Sequence, residues 1–377
     1  MNLGLSQGKS AVVALLLFAS ITDLRACAAE TLELPEGFPL WQESVQLEAG
    51  FGYNDNVALS SVDRQRSPFA MAGVEAMLFR LPWNDWQLSL MAVGSDAEYL
   101  DRSISIDREQ NAAVSGEFTY FIGRGWRSVS TLQYVFINEV MDVSTTYGAS
   151  YPQQVFGHSL AFKQGARKDL GPWWAEFEVS GSRDWFREPL DDFWQAGPRL
   201  ALGRSFGDRC EVSLTYQASS LMYDSREETD QTGTPLPGTH LRYLPQALEL
   251  AWQQSLDARR RWRNLLRLSF ESSEDNGSGY YDYDQYRVAE QVRYRAESWE
   301  LNLQAALAYY DFPNQPVSLT DPRARHRTSL RVALRAEKTL SKHWRAYAVY
   351  DYERSFSNLR VDRYDANTFS GGVIFAF

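Results

Sequence analysis

From Trp299 to Tyr309 the residues Trp299, Leu301, Leu303, Ala305, Leu307 and Tyr309 fall at every second position, with Glu300, Asn302 and Gln304 between them. Successive side chains on a strand point to opposite faces, so this segment folded as a strand has one apolar face and one polar face. The same period recurs in Trp262, Asn264, Leu266, Leu268 and Phe270 against Arg263, Arg267, Ser269 and Glu271. It recurs again in Thr328, Leu330, Val332 and Leu334 against Arg327, Ser329, Arg331 and Arg335. An amphipathic helix needs spacings of three and four instead. The chain is therefore predicted to be all-β.

The template places strands near 44–53, 69–79, 86–98, 110–122, 126–141, 153–167, 173–187, 193–205, 210–223, 240–256, 262–274, 283–296, 299–311, 325–338, 343–355 and 366–377, about sixteen in all, with ends uncertain by a few residues. Trp86, Trp126, Trp173, Trp262, Trp299 and Trp344 each open such a segment just after a short polar turn. Indole rings prefer the headgroup level of a bilayer, so tryptophan recurring at one end of many strands predicts an interfacial girdle. The connections alternate between short turns and longer segments rich in Asp, Asn, Ser, Gly and Pro, with 188–192 the short exception among the long ones. Short periplasmic turns and long external loops are the pattern of a transmembrane antiparallel up-and-down β-barrel. A soluble sandwich or propeller has no need of tryptophan at the same end of so many strands.

Mean hydropathy of −0.41 and 23% charged residues do not oppose this reading, because half of each spanning strand in a barrel faces water. The aromatic share of 14%, with 12 Trp and 20 Tyr, fits two interfacial belts. Residues 1–29 read as an export signal: Lys9 precedes the apolar run from Ala11 to Ile21, and Ala26-Cys27-Ala28 supplies a cleavage pattern. Leu24-Arg25-Ala26-Cys27 also reads as a lipobox with an atypical arginine, which would make Cys27 a lipidated first residue. The second cysteine, Cys210, stands where other strands begin with Trp, so no disulfide is expected. A periplasmic segment over 30–43 and one barrel over 44–377 complete the organisation.

Phe369, Gly371, Val373, Phe375 and Phe377 alternate up to a terminal phenylalanine. This resembles the final-strand signal of bacterial outer-membrane porin-type barrels, and the resemblance covers 44–377. It implies an outer-membrane location, lipid contact, recognition of Phe377 by barrel-assembly machinery and, by analogy with trimeric porins, a homotrimer. The run Gly50-Phe51-Gly52-Tyr53-Asn54-Asp55-Asn56-Val57 resembles the opening of β-barrel porins associated with exopolysaccharide loci. It reads equally as a first hairpin loop rich in turn formers.

By the alternation, Glu48, Glu75, Glu117, Glu176, Glu178 and Glu211 point inward from the first nine strands. Arg263, Arg267, Arg287, Arg293, Arg295, Arg327, Arg331, Arg335 and Arg345 point inward from the later ones. These fifteen residues are the expected pore lining, an arginine-rich sector facing an acidic one across the lumen; mutual neutralisation of the charges is the plainer alternative. Asp96 and Glu98 share the parity of Trp86 and belong at the outer rim. About sixteen strands leave room for an aqueous channel.

Enzymatic motifs are missing: there are four His, no G-x-S-x-G elbow and no HExxH pair, and at His158-Ser159-Leu160 the serine falls on the wrong face for a phospholipase His-x-Ser pair. Catalytic residues, cofactors, metals and nucleic-acid partners are not expected. Residues 275–284, rich in Asp, Gly and Tyr, suit a calcium ion or a sugar, or simply a mobile external loop. The expected function is a channel for polar or anionic solutes, saccharides among them. The alternative is a non-conducting barrel, plugged by loops 224–239 or 312–324, that serves polysaccharide export or surface assembly.

Overall fold

A computed structural model describes residues 40–143, 152–318 and 320–377, with Trp83 by its backbone alone. Residues 1–39, including the leader and Cys27, lie outside the described residues.

Each alternating segment is a strand, and every spanning strand pairs antiparallel with the spanning strands before and after it in sequence. The strands are β1 (Trp41–Asn54), β2 (Ser67–Trp83), β3 (Trp86–Tyr99), β4 (Arg108–Gly123), β5 (Trp126–Met141), β6 (Gln153–Leu170), β7 (Trp173–Phe186) and β8 (Phe193–Phe206). There follow β9 (Cys210–Ala218), β10 (Ser220–Tyr223), β11 (Arg242–Ser255), β12 (Trp262–Asp275), β13 (Tyr283–Arg295), β14 (Trp299–Ser318), β15 (Asp321–Thr339), β16 (Trp344–Ser357) and β17 (Tyr364–Ala376). β9 and β10 are one spanning strand interrupted at Ser219, since both run between β8 and β11. Gly197 in β8 permits the interruption, because a Cβ there would overlap the Ala218 carbonyl oxygen. The sheet therefore closes as a barrel of sixteen spanning strands, with β1 paired to β17 from Gln46↔Ala376 to Asn54↔Thr368. Closure leaves no edge whose N–H and C=O groups lack partners, which is what a strand protein in hydrocarbon requires.

The observed strands agree with the expected ones to within a few residues, with two departures. Positions 41–43, assigned by sequence to a periplasmic segment, already belong to β1, where Glu43 faces Leu78 of β2. Positions 312–324, expected as an external loop, are instead the tip of the β14–β15 hairpin, with register shifts at Phe312/Pro316 and Pro316/Ser318. The pairing of β14 with β13 ends at Asp311, and that of β15 with β16 begins at Arg327. The tip is thus a two-stranded ribbon above the barrel wall, whose free edges tolerate Pro313, Pro316 and Pro322.

Outward faces are apolar at mid-depth. Leu132 is 55% exposed, Leu200 52% and Leu303 41%, which only a hydrocarbon surrounding makes favourable over a continuous band. All six predicted tryptophans open strands at one end of the barrel. Their direct cross-strand partners are Tyr120, Lys168, Arg204, Tyr294, Lys338 and Phe375 in turn.

Buried apolar residues cluster beneath the long connections rather than along the wall. Val57 and Leu59 of the first loop pack with Phe69, Tyr99, Ile106, Val140 and Tyr364. Phe193, Tyr223, Leu241, Tyr243 and Tyr281 form a second cluster under the 224–241 and 276–282 segments.

Candidate functional site

Contacts between non-adjacent strands define the inner face, because a side chain can reach a distant strand only through the interior. Arg335 of β15 donates to Glu48 of β1 at 2.9 Å, and Arg345 of β16 to Gln46 of β1. Arg327 of β15 pairs with Asp142, just after β5. Those two elements stand seven steps apart round the ring (β5, β4, β3, β2, β1, β17, β16, β15), so this pair crosses the lumen. Both partners are buried.

These contacts fix the parity, and the cross-strand register carries it from strand to strand. The fifteen charged residues expected inside all share the inner face. Arg335 bridges Glu48 and Glu337, and Arg345 pairs with Glu337 at 2.7 Å. Arg331 pairs with Asp351 at 2.6 Å, and Arg293 with Glu300 at 2.8 Å. Arg295, more exposed at the turn end, lies 3.9 Å from the same Glu300. Arg263 stands directly opposite Arg293 in the register. On the other side of the wall, Glu176 pairs with Arg199 at 2.6 Å and lies 4.0 Å from Arg167, and Glu178 stands opposite Arg199. Glu211 accepts from Ser205 at 3.3 Å. Glu75 lies among Arg345, Glu337, Arg335 and Glu48, and Glu117 sits on the inner face beside the buried Ser115 and Thr119.

The arginine sector is therefore not unmixed. Glu300, Glu337, Asp351 and Asp142 supply acids to it, and so does the nominated Glu48 through Arg335. Glu337 and Asp351 were legible by the same parity rule as Arg335 and Arg345. Asp142 was not, because its approach to Arg327 depends on the barrel's cross-section.

Two arginines are exceptions. Arg267 and Arg287 are half-buried and have no ion-pair or hydrogen-bond partner among the described residues. Their direct neighbours are small: Arg267 lies between Ala251 and Ala289, and Arg287 between Ser269 and Ala308. Towards the outer end of the same wall stand Tyr283, Tyr310 and Phe312, with the Tyr310 and Phe312 rings near-parallel at 11°.

The outer rim is held by loop ion pairs. Arg64 reaches Asp55 at 2.8 Å and Asp365 at 3.0 Å, tying the first loop to β17. Burial raises the Asp55 carboxyl, yet hydrogen bonds from Asn367 and the Arg64 charge outweigh it and hold the group below the ordinary carboxylate value. Hydrogen bonding from Arg183 likewise holds Asp224 low. Arg325 and Asp362 form a buried pair at 2.8 Å. Asp96 pairs with Arg108 at the outer ends of β3 and β4.

In the 275–284 segment the Asp275 carboxylate accepts backbone N–H groups from Gly277, Gly279 and Tyr281. Its oxygens thus organise the loop, and no acidic group suited to a metal occurs among the described residues. His158 lies on the outer face with its Nδ1 bonded to the Tyr134 hydroxyl at 2.6 Å, away from the inward Ser159. Cys210 accepts from Trp252 Nε1 at 3.3 Å and is unbridged.

Sequence reasoning missed the cations over the girdle. Arg80 stands 3.3 Å above the Trp86 ring, Arg204 4.9 Å above Trp173, Lys168 5.2 Å above Trp126 and Lys338 5.3 Å above Trp299. The signal was a basic residue at the outward parity just before a turn.

No family model matches the sequence. No curated protein matches it either. Among solved structures, OccAB1 of Acinetobacter baumannii is similar over 93% of this chain and 99% of its own, with 9% identity and a TM-score of 0.49. A bacterial polysaccharide outer membrane secretin is similar over 89% and 98%, with 9% identity and a TM-score of 0.43. An anion-selective porin from Comamonas acidovorans is similar over 89% and 99%, with 10% identity and a TM-score of 0.42. The assignment rests instead on the barrel: closure of sixteen antiparallel strands, an apolar outer band, tryptophans at one end and a charged inner face make this chain an outer-membrane β-barrel.

Proposed function

We propose that this barrel is a passive outer-membrane channel for polar and anionic solutes, saccharides among them. The observation that carries the reading is the inner face, charged from end to end on a barrel of a size that leaves an aqueous lumen. Arginines on β12, β13 and β15 give part of that wall a positive potential, and the crossing Arg327–Asp142 pair narrows the path beside it. Lipid, the barrel-assembly machinery acting on Phe377 and two further copies in a trimer are the partners this reading brings with it.

The same crossing pair favours the rival, a non-conducting accessory barrel of a polysaccharide-export or surface-assembly system. Reversal potentials in planar bilayers separate the two. The channel reading expects anion preference, shifted toward cations when Arg263, Arg267, Arg287 and Arg293 are all changed to Gln. Molar salt should flatten the difference, since the Debye length falls to about 3 Å. Inserted protein that passes no current would leave the accessory reading standing.

A further inference from the structure

Arg267 and Arg287 occupy neighbouring strands one diagonal step apart on the inner face, since Arg267 stands opposite Ala289 and Arg287 opposite Ser269. Like charges so placed repel in a half-buried site. Elsewhere in this sector the wall supplies acids: Arg293, Arg327, Arg331, Arg335 and Arg345 each have one. Around Arg287 the charged neighbours include Arg267, Arg331 and two carboxylates, Glu249 and Glu271. Glu271 accepts from the Tyr283 hydroxyl at 2.6 Å, and neither carboxylate makes an ion pair with either arginine among the described residues. Arg331 is already engaged by Asp351.

The surroundings leave room for a ligand. Ala251, Ala289, Ala306, Ala308, Ser269 and Ser329 flank the two arginines across β11 to β15, so the guanidinium forks rise from a floor of small side chains. A guanidinium presents donors in a planar fork that matches a carboxylate or phosphate. Tyr310 stands one row outward of Arg287 and Tyr283 two rows outward; both are half-buried with ring centroids 6.2 Å apart, and Tyr310 is a near neighbour of Arg287. Ring faces and a phenol hydroxyl are the surfaces that meet the C–H face and hydroxyl groups of a pyranose.

We propose that the Arg267–Arg287 recess is a saturable binding station for the oxyanion of a sugar acid or sugar phosphate, with Tyr283 and Tyr310 contacting the ring. This rests on the inner face being open to solutes, as in the channel reading, but adds a stoichiometric site that a diffuse potential does not provide.

The test is calorimetric titration of the purified full-length barrel in detergent with glucuronate, glucose 6-phosphate, glucose and inorganic phosphate. Both sugar anions should saturate one site per chain. Glucose should not bind, and inorganic phosphate should bind at least about tenfold more weakly for want of the ring contacts. The double variant Arg267→Gln/Arg287→Gln should weaken both sugar anions by about tenfold or more. Arg260→Gln, in the turn before β12 and paired with Asp208, should leave binding intact. Heat-modifiable migration of each variant establishes that it has folded, and Arg287→Lys, which keeps the charge, should retain part of the affinity if the double variant does not fold. No saturation by either sugar anion, or unchanged affinity in the double variant, overturns the station. Phosphate binding as tightly as the sugar anions overturns the ring contact. Conductance is read separately: current without saturation removes only the station, and saturation without current removes only the channel.

Discussion

Leu303 and Gln304 are consecutive residues with opposite surroundings. Leu303 lies in an outward row with Val292 and Leu334, while Gln304 stands between Gln291 and Ala333 on the inner face. A charge on the lipid face at mid-depth costs roughly 2–4 kcal/mol for Arg or Lys. Leu303→Arg should therefore lower stability by about that amount, and Gln304→Arg should be nearly neutral because water solvates it. Urea unfolding in lipid vesicles measures both, and equal losses would contradict the facing of β14. The girdle follows similar local logic. Each tryptophan stands opposite either an aromatic ring or a cation, so the pair presents an apolar body and a charged or polar tip at the same depth.

The loops are elements whose order depends on charge. The first loop is held by Arg64 between Asp55 and Asp365, and by Asn56, whose side chain donates to the carbonyl of Asp365 at 2.8 Å. Asp55 and Asp224 have folded-state values below the ordinary carboxylate 3.8, so what they contribute to loop order is fully present above that value. It is lost as pH falls through the lowered values, when protonation cancels the pairing with Arg64 and Arg183. A spin label at the exposed Val62 should thus be immobile at neutral pH and become mobile only as the pH is taken well below the ordinary carboxylate value of 3.8, whereas a label in β14 should not change. Equal mobility of the Val62 label at neutral and at that low pH would show that the ion pairs do not order the loop. The β14–β15 ribbon makes a different point about elements. Its prolines and asparagine read as loop in sequence, yet hairpin pairing survives because its outer edges need no partner.

Barrel closure belongs to the whole molecule, and the last residue takes part in it. The Phe377 N–H donates to the Val45 carbonyl at 3.0 Å, one step beyond the β1–β17 ladder, and its ring meets Phe375 edge-on at 4.8 Å. Deleting Phe377 should reduce the amount of heat-modifiable barrel in outer-membrane fractions, because the seam loses its last hydrogen bond and, on the proposed reading, the assembly signal loses its terminus. Unchanged folded yield would show that neither depends on it. The sequence by itself determined the strands, their facing, the girdle and the up-and-down topology, since period-two alternation and turn spacing are local properties that survive without knowing where any strand lies. Even the inward charges were legible one by one, from Glu48 to Arg345. What only the tertiary structure decided is who meets whom across the ring. That Arg327 finds Asp142 seven strands away and that Arg335 returns to Glu48 over the seam both follow from closure. Closure sets the chords of the interior, and alternation along a strand carries no information about them.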